Sequence, residues 1–364
     1  NAENHYRPDK QKDVYYEFFN ELDSAVVALT GYIEEKPEFN GFARFDILLD
    51  GKYPSWVKFA NSLRLRLAMR IASVAPDKAR AEIQKIKEND YGFFEAETGG
   101  AVVSTKSGYT NPLGELNRVW NETYMSANME SILVGYNDPR LVIYFEHCTD
   151  ETLKGQYRGI RQGTCFAHSH YSGLSKLFVK QSTDAPLMTA SEVWFLRAEA
   201  ALRGWTDEDE ETCYQNGVTT SFHQWGIYGV EDYLKSEQTA SDFIDTYDEE
   251  NNIEARCKVS PKWNPLDDKE TKLEKIITQK WIAMFSEGCE AWAERTGYPR
   301  LFPVRFNHSR NGSIDTEIMV RRLNFPGTLQ TEDPEQYSAL VEALGGNDHG
   351  GTRLWWDTGN NNLE

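Results

Sequence analysis

Basic residues are the scarce charged kind in this chain: its 364 residues carry 39 Lys and Arg against 57 Asp and Glu, a formal charge of −18. Long-range repulsion therefore works against polyanions, which makes nucleic acid and anionic membrane surfaces poor partners. Cysteine is sparse too: Cys148, Cys165, Cys213, Cys257 and Cys289 are odd in number and far apart. No C-x-x-C pair exists, so neither a zinc site nor a dithiol redox centre is indicated. No apolar run is long enough to span a bilayer, and no signal-like segment occurs. A phosphate-cradling glycine loop, a G-x-S-x-G elbow and an H-E-x-x-H pair are also missing.

What the chain does have is helical periodicity. Val14, Phe18, Leu22, Val26 and Leu29 recur at helical spacing over 12–29. In "WVKFANSLRLRLAMRIA" (56–72), Trp56, Phe59, Ala60, Leu63, Leu67 and Ile71 form one stripe, while Leu65 and Met69 lie opposite. Such a helix is covered on both faces. Pro76 ends it, and Asp77 reads as the cap of a further helix reaching about Glu88. From 92 to 188 the chain is rich in Gly, Asn, Thr and Tyr, which predicts irregular loops around one short helix near 114–135.

"ASEVWFLRAEAALRGW" (190–205) is a helix stopped at Gly204, and 208–224 supplies a partner through Tyr214, Val218 and Phe222. The two together have about the length of one tetratricopeptide unit. A second excursion follows at 226–268. "KLEKIITQKWIAMFSEG" (272–288) is then an amphipathic helix closed at Gly288, and the proline-bearing tail from 297 reads mostly as loop. No strand alternation and no linker stands out. The fold class is all-α, with tetratricopeptide-like helix pairs decorated by long irregular loops, and 1–364 reads as one domain.

Each polar motif has a plain alternative. His168 and His170 sit one residue apart, as an extended loop offering two imidazoles to a metal would place them, but no third ligand has diagnostic spacing. "DEDEE" (207–211) suits calcium less well than it suits a helix N-terminus. Glu192 and Glu199 share a helix face about 10 Å apart along the axis, slightly beyond the carboxylate spacing of inverting glycosidases. As partners of buried arginines they make better sense, because Arg64, Arg66 and Arg70 fall in or beside an apolar stripe and burial demands carboxylates.

"WVKFANSLRLRLAMRIA", "NDPRLVIYF" (137–145), "APLMTASEVWFLRAEAALRGW", "IITQKWIAMFSEGCEAWAERTGYPRL", "VRRLNFPG" (320–327) and "TRLWWD" (352–357) occur in order along the chain. Together they resemble the SusD/RagB family of Bacteroidetes. The resemblance implies a surface lipoprotein of the outer membrane that captures oligosaccharides, or peptides in the RagB branch. It also implies a SusC-like TonB-dependent transporter as partner, no catalysis and no cofactor. Relatives are usually longer at the N-terminus, so the lipidated cysteine and first helices are expected to precede Asn1. A helical glycoside hydrolase is the rival that composition alone would allow.

The family's recurring motifs belong to its frame, so ligand residues have to be sought in the excursions. Sugars present apolar C–H faces ringed by hydroxyls, which calls for flat exposed rings beside hydrogen-bonding groups. "FHQWGIYGVEDYL" (222–234) sets Trp225, Tyr228 and Tyr233 beside Gly226 and Gly229, with Gln224 and Asp232 at hand. Trp263 is expected to be exposed in the same excursion. Trp120 and Tyr124 are the next candidates.

Overall fold

The computed structural model describes residues 8–95, 99–164, 167–297 and 320–359. Helices α1 (Gln11–Glu35), α2 (Tyr53–Arg70) and α3 (Pro76–Ile86) come first. Strand β1 (Ala101–Val103), α4 (Pro112–Arg118), α5 (Ala127–Gly135), α6 (Leu141–Tyr144) and α7 (His168–Tyr171) follow. Strand β2 (Ala185–Met188) leads into α8 (Ala190–Leu202), α9 (Glu210–Gln224), α10 (Val230–Tyr233), α11 (Lys269–Ala283) and α12 (Gly288–Gly297). Near the end lie α13 (Leu329–Glu332) and α14 (Pro334–Leu344). The fold is helix-rich as expected; among the described residues the one sheet is the antiparallel pair β1–β2, which the sequence pattern did not reveal.

Local chemistry sets the main helix pair. Thr189 accepts the Glu192 N–H at 3.1 Å and starts α8, and Asp209 accepts the Thr212 N–H at 2.8 Å and starts α9. Between them Gly204 turns left-handed at φ 73°, closing α8 where expected. The two helices run antiparallel and close: Ser191 Oγ donates to Gly217 O at 2.7 Å, and a Cβ on Gly217 would meet the Phe195 ring at 2.7 Å. Tyr214, Val218 and Phe222 are all buried.

Helix α8 is shared by two apolar cores. Val193, Leu196 and Ala200 pack with Leu65, Met69 and Ile83 of α2 and α3. Phe195, Ala198 and Leu202 pack with Tyr214, Ile276 and Ile277 of α9 and α11.

The arginines of α2 are held by acids. Arg64 pairs with Glu82 of α3 and with Asp23 of α1, the latter at 2.6 Å. Arg66 clamps Glu192 through two bonds of 2.6 and 2.5 Å and also reaches Glu287. Arg70 pairs with Glu290, and Glu294 of α12 receives Lys280 of α11 at 2.9 Å. Arg64 is buried outright and the other two nearly so, which is tolerable only because every guanidinium meets a carboxylate. Burial and the Glu192 charge push Glu287 well above the usual carboxylate range.

Several boundaries differ from the sequence reading. Asp77 does not cap α3; the cap is Ala75, and Pro76 in the first turn supplies the preset φ. Gly288 opens α12, whereas α11 already ends at Ala283. The stretch near 114–135 is two helices, α4 and α5. The tail holds α14, because Pro334 occupies a first helical turn, Asp333 accepts the Gln336 N–H at 3.0 Å, and Gly345 stops the helix at φ 71°. Pro299 and Pro303 lie outside the described residues.

Candidate functional site

The excursion after α9 divides into used and unused rings. Tyr233 is not free: it is 6% exposed, donates from Oη to Asp138 Oδ2 at 2.6 Å, and accepts from Arg140 and Gln279 at 3.0 and 2.8 Å. Arg140 is fully buried and grips Asp138 through Nε and Nη2 at 2.9 and 2.6 Å, so this phenol completes the shell of a buried ion pair. Burial and the Asp138 charge push the Tyr233 hydroxyl far up, keeping it a neutral donor.

Trp263, expected at the surface, is 6% exposed, with its ring 5.0 Å from that of Tyr214. Trp225 is half-buried, edge-on to Tyr144 at 5.2 Å and Phe285 at 6.0 Å. Tyr228 alone of the four stands out, at 92% exposure, between Gly226 and Gly229 in left-handed turns.

The motifs weighed for metal and acid chemistry are absorbed similarly. His168 and His170 lie on one helical turn, α7, instead of an extended loop. In "DEDEE", Asp209 caps α9, Glu208 pairs with Arg197, and Glu210 receives Lys272 at 3.1 Å. Glu192 and Glu199 are buried against Arg66 and Arg203 respectively.

A more complete arrangement surrounds Trp120. Asn117, buried near the end of α4, donates to Leu177 O and Val179 O at 2.6 and 2.8 Å, which fastens the helix end to the distant segment 177–179. Asn121 then turns left-handed at φ 60°, and Trp120 N–H and Glu122 N–H fold back onto Glu115 O and Leu116 O at 3.2 and 3.1 Å. Asn121, two residues beyond the helix cap Val119, is a residue type that tolerates the positive φ of this turn. It leaves the Trp120 ring at the surface, 60% exposed.

Next to Trp120 in the chain, Asn121 O accepts from Tyr124 Oη at 3.1 Å, and His168 Nε2 lies 3.3 Å from the same carbonyl. The rings of Tyr124, His168 and Tyr171 form a triangle with centroids 5.1–6.3 Å apart (6.3, 5.2 and 5.1 Å), edge to face. Lys176 Nζ sits 5.9 Å over Tyr124. Burial raises the Tyr124 pKa, so the phenol stays protonated. Asn121 Oδ1 is buried with no hydrogen-bond partner among the described residues. Flat rings, an amide in a left-handed turn and an ammonium group thus lie close together around Tyr124.

The chain belongs to the SusD-like family, described as Susd and RagB outer membrane lipoprotein, whose profile matches residues 1–357. Solved structures agree. A SusD homologue from Bacteroides vulgatus is 44% identical with a TM-score of 0.91, over 99% of this chain and 74% of that one. A chitin-binding SusD homologue from Flavobacterium johnsoniae is 39% identical with a TM-score of 0.90, over 99% and 75%. A SusD-like protein from Bacteroides thetaiotaomicron is 32% identical with a TM-score of 0.88, over 98% and 75%. A comparison with curated proteins gives no match.

Proposed function

We propose that this protein captures oligosaccharides at the cell surface, held to the outer membrane by a lipid anchor, and hands them to a SusC-like TonB-dependent transporter. The observation that carries the reading is Trp120, a large ring left at the surface beside the left-handed turn at Asn121, whose carbonyl meets Tyr124 and His168. Membership in the family and the chitin-binding relative support a glycan as the ligand. Tyr228 is retained as an outlying contact; Trp225 offers only part of its ring, and Tyr233 and Trp263 act through the frame.

Calorimetry against neutral oligosaccharides, beginning with those of β-linked N-acetylglucosamine, tests the proposal. Covering one ring face contributes roughly 1–2 kcal/mol by the area rule, so Trp120→Ala should weaken binding about tenfold without lowering the melting temperature. Release of reducing ends from the same glycans would establish a hydrolase instead. Binding of oligopeptides but of no glycan would establish the RagB-type alternative.

A further inference from the structure

Between α11 and α12 the chain turns a corner through Met284–Glu287, with Glu287 N–H donating to Met284 O at 2.9 Å and Ala291 N–H to Glu287 O at 3.1 Å. Ser286 lies inside it at φ 73°, a left-handed conformation that a Cβ disfavours. Its buried Oγ has no hydrogen-bond partner among the described residues. The corner is thus held in a shape that its own residues do not favour.

What surrounds it is charge. Glu287 lies 3.2 Å from Arg66 Nη2 of α2, but that nitrogen already donates to Glu192 of α8 at 2.5 Å and to Leu187 O at 3.0 Å. From α12, Glu290 takes Arg70 of α2, while Glu294 receives Lys280 of α11 at 2.9 Å and stands 3.7 Å from Arg70. Arg66, Arg70, Lys280, Glu290 and Glu294 line one cavity, with Trp356 5.0 Å over Arg70. Glu199, also on its wall, is matched by Arg203. Among the described residues, then, Glu192, Glu287, Glu290 and Glu294 share three cations, one fewer than the acids. Burial and the Glu192 charge raise the Glu287 carboxyl well above its usual 4.5, with Arg66 pulling the other way. Burial opposes ionisation of Glu290 too, yet Arg70, Arg66 and Lys280 hold that group low. Burial also raises Glu294, which has the Lys280 ammonium close by. The spare proton belongs on Glu287, whose cation is shared.

We propose that this corner is a proton-operated latch, closing α12 onto α2 and α8 while Glu287 is protonated and opening locally, with both cores intact, when Glu287 gives its proton to solvent. The open carboxyl stands in water and ionises at its ordinary pH, so the closed corner binds the proton more tightly than the open one. Closure is therefore complete below pH 4.5 and weakens about tenfold per pH unit above it, until the raised value of the closed corner is passed. Glu192 keeps both of its bonds to Arg66 throughout, so α2 and α8 stay clamped. The device belongs to the frame and does not rest on the glycan reading.

Hydrogen exchange of the 284–297 amides in the full chain, from pH 6 to 7.5 and corrected for intrinsic rates, reads the opening directly. In the parent the opening constant should rise about tenfold per pH unit, and in Glu287→Gln it should stay flat. At each pH these amides should exchange well before those of α9. Ser286→Gly relieves the left-handed turn, so opening should become rarer at every pH with the slope kept, a result that stands even if the glutamine variant fails to fold. A flat parent profile overturns the latch, and so does exchange of α9 in step with the corner, which marks global unfolding. A slope that survives in Glu287→Gln, or that Glu294→Gln alone removes, puts the proton elsewhere and overturns it as well.

Discussion

Two polar clusters in this molecule, each including a tyrosine hydroxyl, serve opposite ends. Around Arg140, Tyr233, Asp138, Gln279 and Ser221 bond to the guanidinium or to one another, and the guanidinium is fully buried. Around Asn121, Tyr124, His168 and Tyr171 also converge, yet bonds are longer, one amide oxygen is unmatched and a tryptophan faces solvent. The difference is closure. A cluster that satisfies itself fixes the frame, and one that leaves rings and polar groups unspent has something to offer a ligand.

The strongest way to break this contrast is at the closed cluster. Arg140→Ala would strand the buried Asp138 carboxylate, at a cost on the order of 3–5 kcal/mol in urea unfolding. Glycan affinity of the folded fraction should be unchanged; a stable variant that loses ligand would reverse the two roles.

The seam between frame and surface is Glu130, whose carboxyl is pushed up to about 7 from 4.5, chiefly by burial, against the opposing pull of Gly159 N–H and Arg158. Between those values the unfolded chain has lost this proton and the folded chain keeps it. The stabilisation is therefore full below pH 4.5 and is lost as pH rises towards 7. Glu130→Gln should flatten this slope, an effect of at most about 3 kcal/mol, read from urea midpoints at pH 5 and 8. An unchanged slope would mean that the carboxyl is ionised throughout.

The smallest effects separate the two surfaces. Trp120→Ala should reduce affinity about tenfold, and Tyr228→Ala less than about twofold, because a ring standing alone has no positioned partners. The reverse order would move the site to the turn after α9.

Most of the frame was legible in the sequence because it depends on neighbours along the chain. Apolar spacing marked α2, α8, α9 and α11, and arginines inside an apolar stripe implied buried carboxylate partners, which Glu82, Glu192 and Glu290 supply. The ligand surface was less legible. Tyr233 is buried by Arg140, 93 residues earlier, and Trp263 is covered by Tyr214, so an aromatic in a glycine-rich excursion gave no sign of being occupied. Asn before a glutamate at the end of a short helix could have suggested the left-handed ending that exposes Trp120.

Helix α8 lends Val193, Leu196 and Ala200 to one core and Phe195, Ala198 and Leu202 to the other. Neither core can therefore melt alone without wetting half of a helix that the other still needs dry. Denaturation should follow one sigmoid in fluorescence and in circular dichroism, with coincident midpoints. One cooperative unit is the expected outcome, because the two cores share the same helix.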